Sequence, residues 1–296
     1  MDAHTILLLA IKASILLMVL GLGLNASWQD ALYLFRRPWL LVRSLLSMYV
    51  IMPLVAAGLV VVFDLPTAVK VALVALAVSP VPPILPKKEL KAEGHASYAI
   101  GLLVAIAVLS IVIVPIAVSW FTAAFDRTGG VAPLAVAKVV LSSVLVPLAI
   151  GIAVRQWATA IAKKVARPVA TLGTVLLIVS ALPLMYAAWP AISALVGNGT
   201  VLIIAAMVAI GLAIGHVLGG PDLTERTVLA LSTASRHPAV ALAIAVAVGV
   251  ESKAALAAIL LYLIVSTLVC VPYVMLRKRQ SIAAHSPIAP ARSVLK

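Results

Sequence analysis

The sequence predicts an all-α polytopic membrane protein with nine transmembrane helices, arranged as inverted repeats that each contain one discontinuous helix. Three observations support this fold class. Hydrophobic residues make up 64% of the 296 residues, charged residues make up only 10%, and the mean hydropathy is +1.22. Apolar segments of about 20 residues, the length that crosses a bilayer as a helix, recur along the chain. Two of these segments are interrupted by proline and polar residues at corresponding positions.

The nine predicted helices follow one another with short polar connections. Helix one is too long for a signal peptide, and Asp2 rather than a basic segment precedes it. The last residues, 280–296, are rich in Ser, Pro and Ala and are expected to form a disordered cytoplasmic tail. A single transmembrane domain is expected over residues 1–279. Its helices are expected at residues 5–24, 40–63, 67–94, 96–121, 132–154, 168–189, 200–218, 223–250 and 252–276.

The positive charges indicate how the chain is oriented in the membrane. Sixteen of the 22 Lys and Arg residues fall in the C-terminal tail and in the connections after helices one, three, five and seven. The connections on the other side hold only Arg127 and Lys253. Because basic residues concentrate on the cytoplasmic side, we expect the N-terminus outside and the C-terminus in the cytoplasm. The net charge of +13 is therefore a topology signal, and no nucleic-acid partner is expected.

Composition and motifs exclude several classes of protein. The single Cys270 cannot form an internal disulfide framework, and C-x-x-C, H-E-x-x-H and P-loop patterns are absent, so no metal or cofactor site is predicted. All nine Asp and Glu residues are expected in loops or near helix ends, which argues against an intramembrane enzyme. The sequence shows neither a repeated pore helix nor a filter sequence, so a channel is not predicted.

The first predicted break interrupts helix three, and the second interrupts helix eight at the segment Ser232–Pro238. A proline there disfavours helix at the residue before it, so helix eight should break at His237 with Arg236 near mid-membrane. An arginine at that depth costs about 2.5–3.5 kcal/mol, and such charges usually mark transport sites. The alternative is a proline kink in which Arg236 pairs with carbonyls of a neighbouring helix. Prolines that mark the breaks are Pro80, Pro82, Pro83 and Pro86 in helix three, and Pro238 in helix eight.

Helices three and eight are each third in a run of four helices, so the two breaks occupy corresponding positions. The corresponding helices of the two runs are five helices apart, and this odd offset orients the two runs oppositely across the membrane. This pattern predicts inverted repeats over about residues 5–120 and 132–276. Because proline is common in membrane helices, coincidence is the alternative.

Four short motifs resemble the bile acid:sodium symporter superfamily: Leu20–Leu24, Met52-Pro53, Ser79-Pro80 and the segment Ala230–Ala241. The resemblance implies a core in which two discontinuous helices cross at mid-membrane, beside a smaller panel domain. It also implies nine crossings with the N-terminus outside, as in the mammalian-type members of that superfamily.

The same comparison shows departures where the superfamily binds sodium. A Glu and a Gln around the second break correspond here to Ser232 and Arg236, and a Gln in helix two corresponds to Met48. An Asn beyond the first break corresponds to the Leu85-Pro86 pair. Sodium prefers several oxygen ligands, and this chain supplies hydroxyls beside a competing cation. We therefore do not expect sodium coupling at the superfamily's usual positions, although sodium remains possible.

The chemistry of the second break suits an anion. Pro238 can begin a half-helix whose free N–H groups and positive end point at the break. Arg236 adds a permanent charge and a planar fork that matches carboxylate, sulfonate or phosphate. The alternative role for Arg236 is to neutralise the negative end of the first half of helix eight. His237 would relay protons or remain a neutral hydrogen-bonded side chain. The predicted substrate-binding residues are Ser232, Thr233, Ser235, Arg236 and His237.

These features predict a secondary active transporter that moves a small organic anion by alternating access. We expect an integral protein of a bacterial-type inner or plasma membrane, whose partners are the substrate and the lipid bilayer. A transport-inactive sensor or binding protein on the same fold is the alternative. The chain is not expected to be an enzyme.

Overall fold

A computed structural model describes residues 3–124, 131–197 and 199–285, and every regular element among them is helical. Within these residues, seven helices are long and apolar enough to cross a membrane, and two shorter apolar helices cover Leu9–Gly23 and Thr67–Val78. The prediction of an all-helical membrane protein is therefore confirmed, whereas the nine crossings and the inverted repeats stay predictions. The helices are α1 (Ala3–Gly23), α2 (Trp28–Ala31), α3 (Pro38–Leu45), α4 (Met52–Val62), α5 (Thr67–Val78), α6 (Leu85–Lys91), α7 (Ala96–Ala124), α8 (Pro133–Val140), α9 (Val146–Trp157), α10 (Thr159–Ser193), α11 (Thr200–Leu218), α12 (Leu223–Ala234), α13 (Pro238–Ala247) and α14 (Ser252–His285).

Two helix ends differ most from the predictions made from the sequence. Helix α10 begins at Thr159, within the segment that was expected to be a basic loop, because Lys163 and Lys164 are good helix formers. Helix α14 continues to His285, beyond the predicted helix end near residue 276, so residues 280–285 of the predicted tail are helical. The rest of the predicted tail, residues 286–296, lies outside the described residues.

Helices three and eight are interrupted near the positions that their prolines indicate. Helix α5 ends at Val78, and the chain is not helical again until α6 begins at Leu85. Helix α12 ends at Ala234, and α13 begins at Pro238. Pro86 and Pro238 both lie in the first turn of their helices, where the missing N–H costs no hydrogen bond.

Helix two contains a π-helical turn, Leu46–Ile51, between α3 and α4. Pro53 follows this turn, and a proline in a helix interior both lacks a donor and clashes with the preceding turn. One extra residue in the turn widens the helix and relieves that clash. The same arrangement recurs in helix five, where a π-helical turn at Leu141–Leu145 precedes Pro147. Neither π-helical turn was predicted from the sequence.

The helices pack in two groups around the interrupted segments. Helix α1 lies against α9 and α10, and the approach to α9 is close enough that a Cβ on Gly23 would lie 2.5 Å from the Leu148 carbonyl oxygen. The interrupted helices lie in the largest hydrophobic cluster of the described residues, with side chains from helix two, α7, α11 and α14. The two breaks are thus surrounded by other helices.

Candidate functional site

The two breaks are joined by direct hydrogen bonds. The backbone N–H of His237 donates to the carbonyl oxygen of Pro80 over 2.9 Å, and the Arg236 side chain reaches the Ser79 carbonyl at 3.4 Å. Unwound backbone inside a bundle must find partners outside its own helix, since an unpaired buried peptide group is costly. Each break therefore supplies partners to the other. Their depth in the membrane stays a prediction.

Arg236 is fully buried and donates to two backbone carbonyls from different helices. One is the Ser79 carbonyl at the end of α5, and the other is the Met48 carbonyl in helix two, 3.1 Å from Nη2. The Met48 carbonyl is available because the N–H of Met52 bonds to Ser47 and the next residue is a proline. The π-helical turn thus creates an acceptor for the guanidinium.

The contacts of Arg236 bear on the alternatives drawn from the sequence. Its guanidinium binds carbonyls of neighbouring helices, as one alternative stated. One of these carbonyls lies at the C-terminal end of α5, where the carbonyls carry partial negative charge. The role of Arg236 as a counter-charge for the first half of helix eight, which is α12, stays a prediction. The Ala234 carbonyl at the end of α12 accepts hydrogen bonds from Tyr262 Oη at 2.9 Å and Ser266 Oγ at 3.4 Å. Among the described residues, no carboxylate forms an ion pair with Arg236.

His237 has a fixed backbone and a side chain without partners. Its imidazole is buried, and neither ring nitrogen forms a hydrogen bond within the described part of the chain. The hydrogen-bonded histidine considered from the sequence is therefore not observed. Arg236 Nε is likewise buried without a partner. Three buried nitrogen atoms at the second break thus have no hydrogen-bond partner among the described residues.

The three hydroxyl groups that were predicted to bind the substrate lie in different surroundings. Ser232 Oγ donates to Glu89 Oε1 over 2.5 Å, and Thr233 Oγ1 shares a hydrogen bond with Ser47 Oγ over 2.7 Å. Ser235 is half-buried at the C-terminal cap of α12. Of the predicted substrate-binding residues, Ser235, Arg236 and His237 lie within the break itself. Ser232 and Thr233 connect α12 to the helices beside it.

The burial of Glu89 was not predicted from the sequence. All acidic residues were expected in loops or near helix ends, and Glu89 does lie near the end of α6, yet it is fully buried. The error arose because Lys87, Lys88 and Lys91 suggested a cytoplasmic connection. A signal was present, since Leu85, Glu89 and Ala92 have the i, i+4, i+7 spacing of one helix face, and all three are buried.

The two halves of helix eight begin differently. Asp222 caps α12 by accepting a hydrogen bond from the Thr224 backbone N–H over 2.7 Å, and the Thr224 hydroxyl bond lowers the Asp222 pKa. His237 occupies the capping position of α13 and gives no side-chain bond. The first N–H groups of α13 therefore face the break without a capping side chain, as anion sites at helix N-termini do.

Comparison with known proteins identifies one family. The model of the Sodium Bile acid symporter family matches residues 13–188, which is more than half of the chain. That region includes helix two and the first break, but it ends before the second break. No curated protein matches the chain. The family match therefore does not cover Ser232–Pro238, and any role for these residues must be argued from their geometry.

Proposed function

The chain belongs to the sodium bile acid symporter family, and on that premise we propose that it moves a small organic anion by alternating access without sodium at the family's usual positions. The family and the apolar helices establish an integral membrane protein of the transporter kind. Members of this family are transporters rather than enzymes. The substrate class, the mechanism and the ion coupling are the parts that we propose.

The pairing of Arg236 with the Met48 carbonyl is the observation that carries the proposal on sodium. By resemblance, Met48 and Arg236 stand at positions where the family has sodium-site residues. A guanidinium now binds carbonyl oxygens there, and a second cation a few ångströms away would be repelled. Arg236 thus supplies permanently the positive charge that a sodium ion would bring.

An anionic substrate is supported by donors at the second break. The N-terminus of α13 lacks a capping side chain, and Arg236 Nε and the imidazole of His237 have no partners among the described residues. These groups combine the positive end of a helix with a charged, planar donor, which suits a carboxylate, sulfonate or phosphate. Alternating access would follow from movement of the interrupted helices against α1, α9 and α10.

The orientation proposed from the charge distribution has the N-terminus outside and the C-terminus in the cytoplasm of a bacterial-type membrane. Lys88 and Arg279 are exposed and belong to the side that carries most of the basic residues. Single cysteines introduced at these two positions, with Cys270 replaced, should both react with a membrane-impermeant reagent from the cytoplasmic side. Labelling from opposite sides would contradict this topology.

Uptake into proteoliposomes tests the transport proposal. The probes are a radiolabelled bile acid and a panel of small carboxylates and sulfonates, each measured in sodium and in potassium buffer. We expect saturable uptake that is equal in the two buffers. Uptake that requires sodium would refute the coupling proposal. Stabilisation of the purified protein by a probe without uptake would favour the transport-inactive binding protein.

A paired variant tests the role of Arg236 separately. Ser232→Glu combined with Arg236→Gln restores the two residues that the family uses around the second break. We expect this variant, but not the wild type, to unfold at a higher temperature when sodium is added. A site that is filled at 100 times its Kd would stabilise the fold by about 2.7 kcal/mol. Sodium-dependent stabilisation of the wild type would refute the assignment of Arg236 as the replacement cation.

A further inference from the structure

Glu89 is a buried carboxyl group that the proposed function does not use. It projects from the apolar face of α6 towards α12, and its side chain is fully buried. Ser232 Oγ donates a hydrogen bond to Glu89 Oε1 over 2.5 Å, so the carboxyl links the second half of helix three to the first half of helix eight. The other carboxyl oxygen, Oε2, has no partner among the described residues.

No cation compensates the Glu89 carboxyl within the described part of the chain. Lys87 on the same helix turns away and donates to Thr174 Oγ1 of α10 over 2.8 Å, while Lys88 and Lys91 are exposed. The described ion pairs join Arg37 to Glu225 and Lys70 to Asp64, and neither includes Glu89.

The elements packed on α6 present few titratable groups to Glu89. From α7, the buried Tyr98 hydroxyl shares a hydrogen bond with Ser44 Oγ over 2.8 Å. From α12, Ser232 contacts the carboxyl, and Glu225 near the start of that helix is bound by Arg37 and Tyr33. The described contacts of Glu89 are therefore with hydroxyl groups and apolar side chains, and the carboxylate of Glu225 on α12 is already paired with Arg37.

An isolated carboxylate in such surroundings is far more costly than the neutral acid, because its charge loses hydration without gaining a counter-ion. We propose that Glu89 is a proton-binding site, which holds a proton in this conformation and releases it when α6 and α12 separate and water reaches the carboxyl. In binding, one carboxylate oxygen accepts a proton from hydronium and leaves a water molecule. One oxygen atom of the Glu89 carboxylate is sufficient to bind the proton.

The link between this site and transport rests on the proposed function. Both α6 and α12 belong to interrupted helices, and Ser232 is four residues before Arg236 on the segment that forms the second break. Movement of one half-helix against the other would expose Glu89 and alter the break at the same time. A proton at Glu89 would therefore be the coupling ion for the anion.

Infrared difference spectroscopy on the full chain in lipid tests the proton site without any substrate. As the pH is lowered from about 9 to about 5, protonation of a buried acid produces a carboxylic C=O band. We expect this band in the wild type and in the exposed control Glu93→Gln, and its loss in Glu89→Gln. Ser232→Ala should retain the band at higher frequency, because the carbonyl loses its hydrogen bond. A spectrum unchanged by Glu89→Gln would overturn the site.

A second measurement tests the coupling. Proteoliposomes carry a pH gradient, acidic on the side to which the bile acid probe is added, and initial uptake is compared with and without the gradient. We expect several-fold stimulation in the wild type and in Glu93→Gln, and no stimulation in Glu89→Gln. If the infrared band depends on Glu89 but uptake ignores the gradient, the coupling is refuted. If no uptake occurs at all, the proposed function fails while the infrared result still decides the proton site.

Discussion

The break in helix three is built from prolines and carbonyl acceptors, whereas the break in helix eight supplies hydrogen-bond donors. Pro80, Pro82 and Pro83 have no N–H, so this stretch presents more acceptors than donors. The second break contributes the His237 N–H and the Arg236 guanidinium, which bind the Pro80 and Ser79 carbonyls. The difference shows that the two breaks are complementary, and each satisfies backbone groups that the other leaves without a helical partner.

This complementarity separates the roles of the two breaks. Prolines fix the backbone of the first break, so its carbonyls keep their directions when a ligand binds. The second break carries the titratable and charged side chains, and three of its nitrogen atoms have no partner in the described chain. We interpret the first break as a rigid acceptor surface and the second as the part that contacts the ligand.

The largest effect is expected from Arg236→Lys, which keeps the charge but removes the planar fork. One ammonium cannot reproduce both bonds to the Met48 and Ser79 carbonyls, so a charged hydrogen bond is lost. We expect the free energy of unfolding to fall by about 3 kcal/mol. Denaturant titration in detergent micelles measures this, with the exposed Arg279→Lys as the matched control. Equal stability of the two variants would show that Arg236 does not join the breaks.

A smaller effect is expected from removal of the backbone bond between the breaks. The φ angle of His237 is −76°, which a proline adopts without strain, so His237→Pro removes the N–H that binds the Pro80 carbonyl. The matched variant His237→Ala removes the imidazole and keeps the N–H. We expect His237→Pro to be less stable than His237→Ala by about 2 kcal/mol in the same titration.

The difference between the two breaks also predicts the stability and the anion uptake of His237→Ala. The imidazole makes no hydrogen bond among the described residues, so its removal should change the free energy of unfolding little while reducing anion uptake. A large loss of stability together with normal uptake would assign His237 to packing rather than to the ligand.

A small effect is also expected in the first break, from Pro83→Ala. Leu85 N–H donates to the Pro82 carbonyl over 3.0 Å, and Pro83 occupies the second position of that turn, where its fixed φ is favourable. Alanine gives the unfolded chain more freedom, and we expect the free energy of unfolding to fall by roughly 0.5–1 kcal/mol. Higher stability of Pro83→Ala would mean that the prolines strain the break instead of rigidifying it.

Local signals in the sequence determined the class of the protein and the position of both breaks. Hydropathy identified the membrane helices, because a bilayer requires long apolar segments wherever they occur in the chain. The prolines located the interruptions, since the missing N–H and the ring clash act on adjacent residues. Arg236 and His237 could be selected because a charged or titratable side chain within an apolar segment is expensive.

Only the tertiary structure decided which groups those side chains meet. The Met48 carbonyl accepts from Arg236 because of a π-helical turn whose atoms come from a helix 188 residues away in sequence. Glu89 and Ser232, separated by 143 residues, became partners when α6 packed on α12. The sequence alone could not reveal these contacts. Every residue has a backbone carbonyl, so the residue type does not show which carbonyl will accept a hydrogen bond. A glutamate among lysines, in turn, has the composition of an ordinary polar loop. The packing of helix two beside the second break determined the first contact, and the packing of α6 on α12 determined the second.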